Sequence, residues 1–156
     1  ETSKMILVLL MFIGACAGST GGGFKISRLL ILCKAIPKQL SLVIHPREVK
    51  VIRMDGKPID HNTLRSTNVY LAIYFFILLV STLLISVDNF NLTTNFTAVA
   101  STLNNIGPGL DGVGPTRNFG MYSDFSKFVL MFDMLAGRLE LYPLLILFMP
   151  SLWRRK

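Results

Sequence analysis

The nine residues Thr102-Leu103-Asn104-Asn105-Ile106-Gly107-Pro108-Gly109-Leu110 decide the fold. They close a moderately apolar, threonine-rich run, 92–103, that is too short to cross a hydrocarbon layer of about 30 Å as a helix. The helix cannot continue past it, because Pro108 has no amide donor and glycines stand on both sides of it. A short helix followed by extended backbone is the pattern of a re-entrant loop. Non-helical backbone at membrane depth is tolerated only where protein buries it or where it lines a watery cavity. In such a loop Gly107 permits unusual backbone angles, and successive carbonyl oxygens replace the hydration shell of an alkali cation. The stretch from Asn104 to Gly109 is therefore the candidate filter site. The C-terminal end of the 92–103 helix adds partial negative charge aimed at the same cation. As a bare pattern this loop is more often an ordinary turn; its place between two apolar segments favours the filter.

Those flanking segments are 69–87 and 125–153, and a third apolar segment covers 5–36. In a chain of 156 residues that is 51% hydrophobic, with mean hydropathy +0.53, charge is confined to a few stretches, as in membrane proteins. The expected architecture is an all-α membrane protein. It has three transmembrane helices, one re-entrant pore half-helix with an extended filter, and a small cytoplasmic hairpin loop. Residues 1–36 form a glycine-broken helix, 37–66 the cytoplasmic loop, and 67–156 a membrane–pore–membrane unit. The net charge of +7 comes largely from Lys34, Lys38, Arg47, Lys50, Arg53, Lys57 and Arg65, between hydrophobic segments. That distribution reads as positive-inside topology and not as a nucleic-acid surface. It puts this loop, and the C-terminal Arg154-Arg155-Lys156, on the cytoplasmic side. Asp55-Gly56 between two short extended runs predicts a β-hairpin. The next helix should begin near Asn62, with Tyr70 and Tyr74 in the interfacial belt. No signal peptide is visible ahead of the first segment, which reads as though an N-terminal part lies elsewhere.

The first segment is interrupted by Gly14-Ala15-Cys16-Ala17-Gly18-Ser19-Thr20-Gly21-Gly22-Gly23. An interior glycine costs a helix about 1 kcal/mol relative to alanine, so Gly21, Gly22 and Gly23 together should unwind it at mid-membrane. Gly14 and Gly18 also fit a helix-packing seam, but three consecutive glycines beside Ser19 and Thr20 exceed what packing needs. The stretch is not a phosphate loop, since Phe24 separates Gly23 from Lys25 where a Walker motif requires Gly-Lys directly. In the third segment, Arg138 is a costly intramembrane charge that must face protein, a partner or a watery pore. Glu140 at i+2 lies on another face, and Asp133 is a second intramembrane charge. His45 and His61 are loop residues with no nucleophile in register, so no enzyme is expected. Asn91-Leu92-Thr93 and Asn95-Phe96-Thr97 match glycosylation acceptors but fall in a half-helix that should be buried.

Taken in order, four groups of residues resemble the Trk/Ktr/HKT family of potassium transporters, in particular the TrkH-type uptake subunits. They are Gly14 to Lys25, His45-Pro46-Arg47, Thr102 to Leu110, and Gly137-Arg138-Leu139-Glu140 with Pro150-Ser151-Leu152-Trp153. The resemblance implies four membrane–pore–membrane repeats around one pore, of which this chain holds the last helix of the third and the whole fourth. It implies that Asn104 to Gly107 supply the fourth repeat's filter carbonyls to K+. It also implies that Gly14, Gly18, Ser19, Thr20, Gly21, Gly22 and Gly23 belong to an intramembrane gate faced by Arg138. The implied setting is a multi-pass protein of the bacterial inner membrane with a cytoplasmic C-terminus. The implied partners are the remaining repeats, a second copy in a homodimer, the lipid bilayer and a cytosolic nucleotide-binding ring protein; no organic cofactor and no nucleic acid are expected. The competing reading is a non-conducting membrane scaffold whose glycines only pack helices.

Overall fold

The computed structural model describes residues 2–13, 24–45, 52–54 and 57–138. They are mostly helical. In chain order the elements are α1 (Thr2–Phe12), α2 (Ile26–Ile44), β1 (Arg53–Met54), β2 (Lys57–Pro58), α3 (His61–Ile85), α4 (Leu92–Leu103) and α5 (Asp124–Arg138), with short 3-10 turns at Ser86–Asp88, Asp111–Val113 and Phe119–Met121.

The helix α3 sets the scale of the molecule. Its 25 residues rise about 37 Å at 1.5 Å per residue, more than the hydrocarbon layer requires. Among the described residues, the segment Asn62–Asp88, with mean hydropathy 2.4, is the one helix long and apolar enough to cross a membrane. The first apolar segment is divided between α1 and α2, and α5 is described only as far as Arg138. α2 continues past Ile36 to Ile44 with Pro37 inside it, so part of the stretch that its basic residues mark as a loop is helical. Lys34 shows how the two readings coexist. It sits on α2, and its ammonium donates to the carbonyl of Arg53 at 3.0 Å, tying the helix to the strand β1. The hairpin pairs Arg53 with Pro58 and Met54 with Lys57, the register that a two-residue Asp55-Gly56 connection dictates.

α4 packs against both α3 and α5, which also touch each other, and every residue from Thr97 to Asn104 is buried. A buried helix rich in hydroxyls must satisfy them itself. Thr97 donates to the carbonyl of Thr93 at 2.7 Å, Ser101 to Ala98 at 3.0 Å, and Thr102 to Ala98 at 3.0 Å. Its N-terminus is capped by Asn91, whose side chain accepts from the amide of Thr94 at 2.8 Å. Asn95 is engaged as well: the Tyr122 hydroxyl donates to its Oδ1 at 3.0 Å, and its Nδ2 donates to the carbonyl of Phe90. Burial pushes the Tyr122 phenol up to about 12, with the charge of Asp88 adding to the effect, so this donor keeps its proton throughout the physiological range. Both candidate glycosylation asparagines thus do structural work.

The end of α3 and the start of α5 are joined at one place. Asp88, in the turn after α3, accepts from the amide and the hydroxyl of Ser123 at 3.0 and 3.1 Å. Ser123 in turn caps α5 by accepting from the amide of Ser126. Deeper in, the Ser81 hydroxyl on α3 donates to Asp133 on α5 at 2.7 Å, with Asp133 fully buried.

Candidate functional site

The site is built where α4 stops. Asn105 adopts a left-handed conformation with φ 54°; its amide donates to Thr102 and that of Ile106 to Ser101, at 3.0 and 2.9 Å. This pair of bonds is a Schellman motif with asparagine in the position that glycine most often fills. Gly107 follows with φ 106°, a conformation that side-chain-bearing residues rarely adopt. The chain then runs back along α4. The amide of Leu110 donates to Thr97 Oγ1 at 3.0 Å, and that of Gly112 to Thr94 Oγ1 at 3.3 Å. Thr94 and Thr97 lie one turn apart on α4, so this helix face templates the return.

The turn is held from two sides. On the α3 side the Tyr74 hydroxyl donates to Asn104 Oδ1 at 3.0 Å, and Asn104 Nδ2 donates to the carbonyl of Ala100 at 2.8 Å. On the α5 side Asn105 Nδ2 donates to the carbonyl of Met134 at 3.2 Å. Gly137 lies against the carbonyl of Leu103 so closely that a Cβ there would collide with it. These contacts fix the depth of α4. Its 12 residues rise about 18 Å, and the stretch of α3 from Tyr74 to Ile85 rises about 17 Å. α4 therefore ends near the middle of the spanning helix α3.

The four predicted filter residues are consecutive in this turn. Among the described residues, no hydrogen bond is made to the carbonyl oxygens of Asn104, Asn105, Ile106 or Gly107. An open cavity of about 420 Å³ lies beside the last three of them, Asn105, Ile106 and Gly107, lined also by Thr102, Leu130 and Met134. No cluster of His, Cys, Asp or Glu that could hold a metal ion occurs among the described residues. Of the predicted gate residues, Gly14, Gly18, Ser19, Thr20, Gly21, Gly22 and Gly23 lie outside the described residues. Arg138 ends the described part of α5, exposed, one residue beyond the Gly137 contact.

Two tyrosines depart from the sequence reading. Tyr70 and Tyr74 are each 2% exposed, so they face the interior and not the interfacial belt. The Arg28 guanidinium lies 3.8 Å over the Tyr70 ring, and Tyr74 bonds to Asn104. Nothing in the local spacing of 70 and 74 reveals those partners, which come from α2 and the end of α4.

A buried helix of 12 residues, set beside one helix long and apolar enough to cross a membrane and ending in a turn whose carbonyls accept no hydrogen bond among the described residues, fits the class of α-helical membrane proteins. The family "TrkH: Cation transport protein" matches residues 1–155. The chain belongs to that family. It is 39% identical over 150 residues to "Trk system potassium uptake protein TrkH" of Vibrio parahaemolyticus, an alignment that covers 96% of this chain and 30% of the relative. The protein of the same name from Escherichia coli K12 is 37% identical over 150 residues, covering 96% of this chain and 31% of the relative. The crystal structure of the potassium transporter TrkH from Vibrio parahaemolyticus superposes with a TM-score of 0.85 at 38% identity, over 97% of this chain and 32% of that one. The chain thus spans about a third of the length of these relatives, each of which is named as a transport protein rather than an enzyme.

Proposed function

We propose that this chain is the C-terminal third of a potassium-uptake subunit of the bacterial inner membrane, comprising the last helix of a third repeat and a complete fourth repeat. In this reading α4 is the pore half-helix, and Asn104, Asn105, Ile106 and Gly107 offer their carbonyl oxygens to K+ as one quarter of a selectivity filter. A dehydrating cation needs oxygens that are not already hydrogen-bonded. The observation that carries the reading is the set of four consecutive carbonyls that accept no hydrogen bond among the described residues, at the end of a buried short helix. The negative end of α4 adds an electrostatic contribution that favours cations.

Below the filter, the 14–23 stretch obstructs the pathway and Arg138 faces it, repelling cations while hydrogen-bonding loop carbonyls. Displacing that stretch removes both barriers. The C-terminus is cytoplasmic, two such subunits pair, and the basic residues around the hairpin and at 154–156 contact a cytosolic nucleotide-binding ring protein that regulates opening. The names of the relatives and the length of the alignment support the ion and the need for further repeats.

The test is a chimera in which residues 1–156 replace the matching third of the Vibrio parahaemolyticus relative, referred to below as the full-length subunit. Expressed in bacteria unable to grow on low potassium, it is expected to restore growth and K+ uptake. A chimera that reaches the membrane in normal amount but carries no K+ contradicts the proposal.

A further inference from the structure

The Tyr74 hydroxyl is the α3 contact of the 104–107 turn, and the surroundings of its ring are unusual. Phe12, the last residue of α1, meets it edge-on with centroids 6.4 Å apart and planes at 81°. Phe24, just ahead of α2, lies at 6.4 Å and 49°. These two phenylalanines bracket the glycine-rich stretch in the sequence. Phe12 also packs on Phe96 of α4 at 6.0 Å, and Phe24 on Tyr70 at 6.4 Å. Phe24 and Tyr74 are both in the buried core.

Close-packed aromatic rings transmit displacement, because protein interiors have little free volume to absorb it. The hydroxyl of a buried tyrosine is worth retaining only where it meets a partner, and here the partner is the residue at which α4 ends. Asn104 has both ends of its amide engaged, by Tyr74 at Oδ1 and by Ala100 at Nδ2. Losing the Tyr74 bond leaves that side chain held by Ala100 alone and loosens the residue that opens the carbonyl series.

We propose that Tyr74 is a specificity-determining positioning residue: its hydroxyl fixes the backbone from which the 104–107 carbonyls run, and its ring ties that backbone to Phe12 and Phe24. The inference rests on the filter reading given above and deepens it. Tyr74 touches no ion. It acts through Asn104, and movement at the end of α1 or the approach to α2 reaches the carbonyls through it.

The experiment uses the full-length subunit in proteoliposomes and reads the K+-to-Na+ permeability ratio from reversal potentials. Tyr74→Phe keeps the ring and removes only the hydroxyl; in protein that folds and inserts in normal yield it is expected to lower the ratio several-fold, alongside the modest fall in melting temperature that loss of one buried hydrogen bond brings. Phe24→Leu keeps the hydroxyl and loosens the ring; a smaller fall in the same direction is expected. It also decides the matter alone should Tyr74→Phe not assemble. Gly107→Ser serves as the reference. If Gly107→Ser lowers the ratio while Tyr74→Phe and Phe24→Leu leave it unchanged, the positioning role is overturned and the filter reading stands. If Gly107→Ser also leaves it unchanged, the filter reading fails and this inference with it.

Discussion

Gly137 on α5 lies in direct contact with the carbonyl oxygen of Leu103, the last residue of α4, with no room for a Cβ between them. The helix that carries Arg138 is thereby pressed against the end of the half-helix, and Asn105 reinforces the contact by bonding to Met134 one turn earlier. Gly137→Ala must part the two helices or shift the turn. Overpacking of this kind costs about 1–3 kcal/mol, and here the displaced atom is backbone, which cannot rotate away. Reduced thermal stability and loss of K+ uptake are expected of the variant; uptake and melting temperature equal to the parent's would show that the helices can separate freely.

Thr97 is the hinge of the return path. Its hydroxyl accepts from the Leu110 amide while donating to Thr93. Thr97→Val keeps the shape and leaves a part-buried amide without a partner, at about 1–3 kcal/mol. Faster hydrogen exchange at Leu110, with Ser86 to Asn89 unchanged, is the expected signature.

Ser81 supplies the hydrogen bond to Asp133, whose other oxygen is buried without a partner among the described residues. Ser81→Ala withdraws that bond from a fully buried carboxyl group. A loss of about 1–3 kcal/mol of stability follows, measurable as a lower melting temperature in detergent. Ser81→Thr, which keeps a hydroxyl, is expected to retain most of it.

Arg138 is the proposed counterpart of the glycine-rich stretch. Arg138→Ala in the full-length subunit removes a positive charge from the pathway and a donor from the obstruction, so K+ flux is expected to rise. Radioactive K+ or Rb+ uptake into vesicles measures it, and flux equal to the parent's, with regulation intact, would exclude a gating role.

Much of this fold is written in local chemistry. Pro108 and its glycines mark where α4 must end, Asp55-Gly56 marks the hairpin, and the apolar run after Asn62 marks α3. What escapes a sequence reading is pairing between elements. Tyr70 and Tyr74 have the character of interfacial residues, and only the approach of α2 and the end of α4 turns them inward. Lys34 and Lys38 read as loop because they are basic, although α2 carries them as a helix to Ile44. Ser81 looks like any hydroxyl in an apolar helix until Asp133 stands opposite it. Asn105 is an instructive middle case: asparagine tolerates the left-handed conformation, yet its cross-link to Met134 comes from α5.

The account rests on the backbone of 104–107, and Gly107 tests it most directly. A Cβ at Gly107 meets nothing within 4 Å, but φ is 106°, so Gly107→Ser changes the backbone without a clash, at about 1–3 kcal/mol of local strain. The measurement is the K+-to-Na+ permeability ratio of the full-length subunit, taken from reversal potentials in proteoliposomes. A marked fall in the ratio with conduction retained is the expected result. A ratio equal to the parent's, in a variant that folds and reaches the membrane in normal yield, would mean that these carbonyls do not select the ion and would contradict the account.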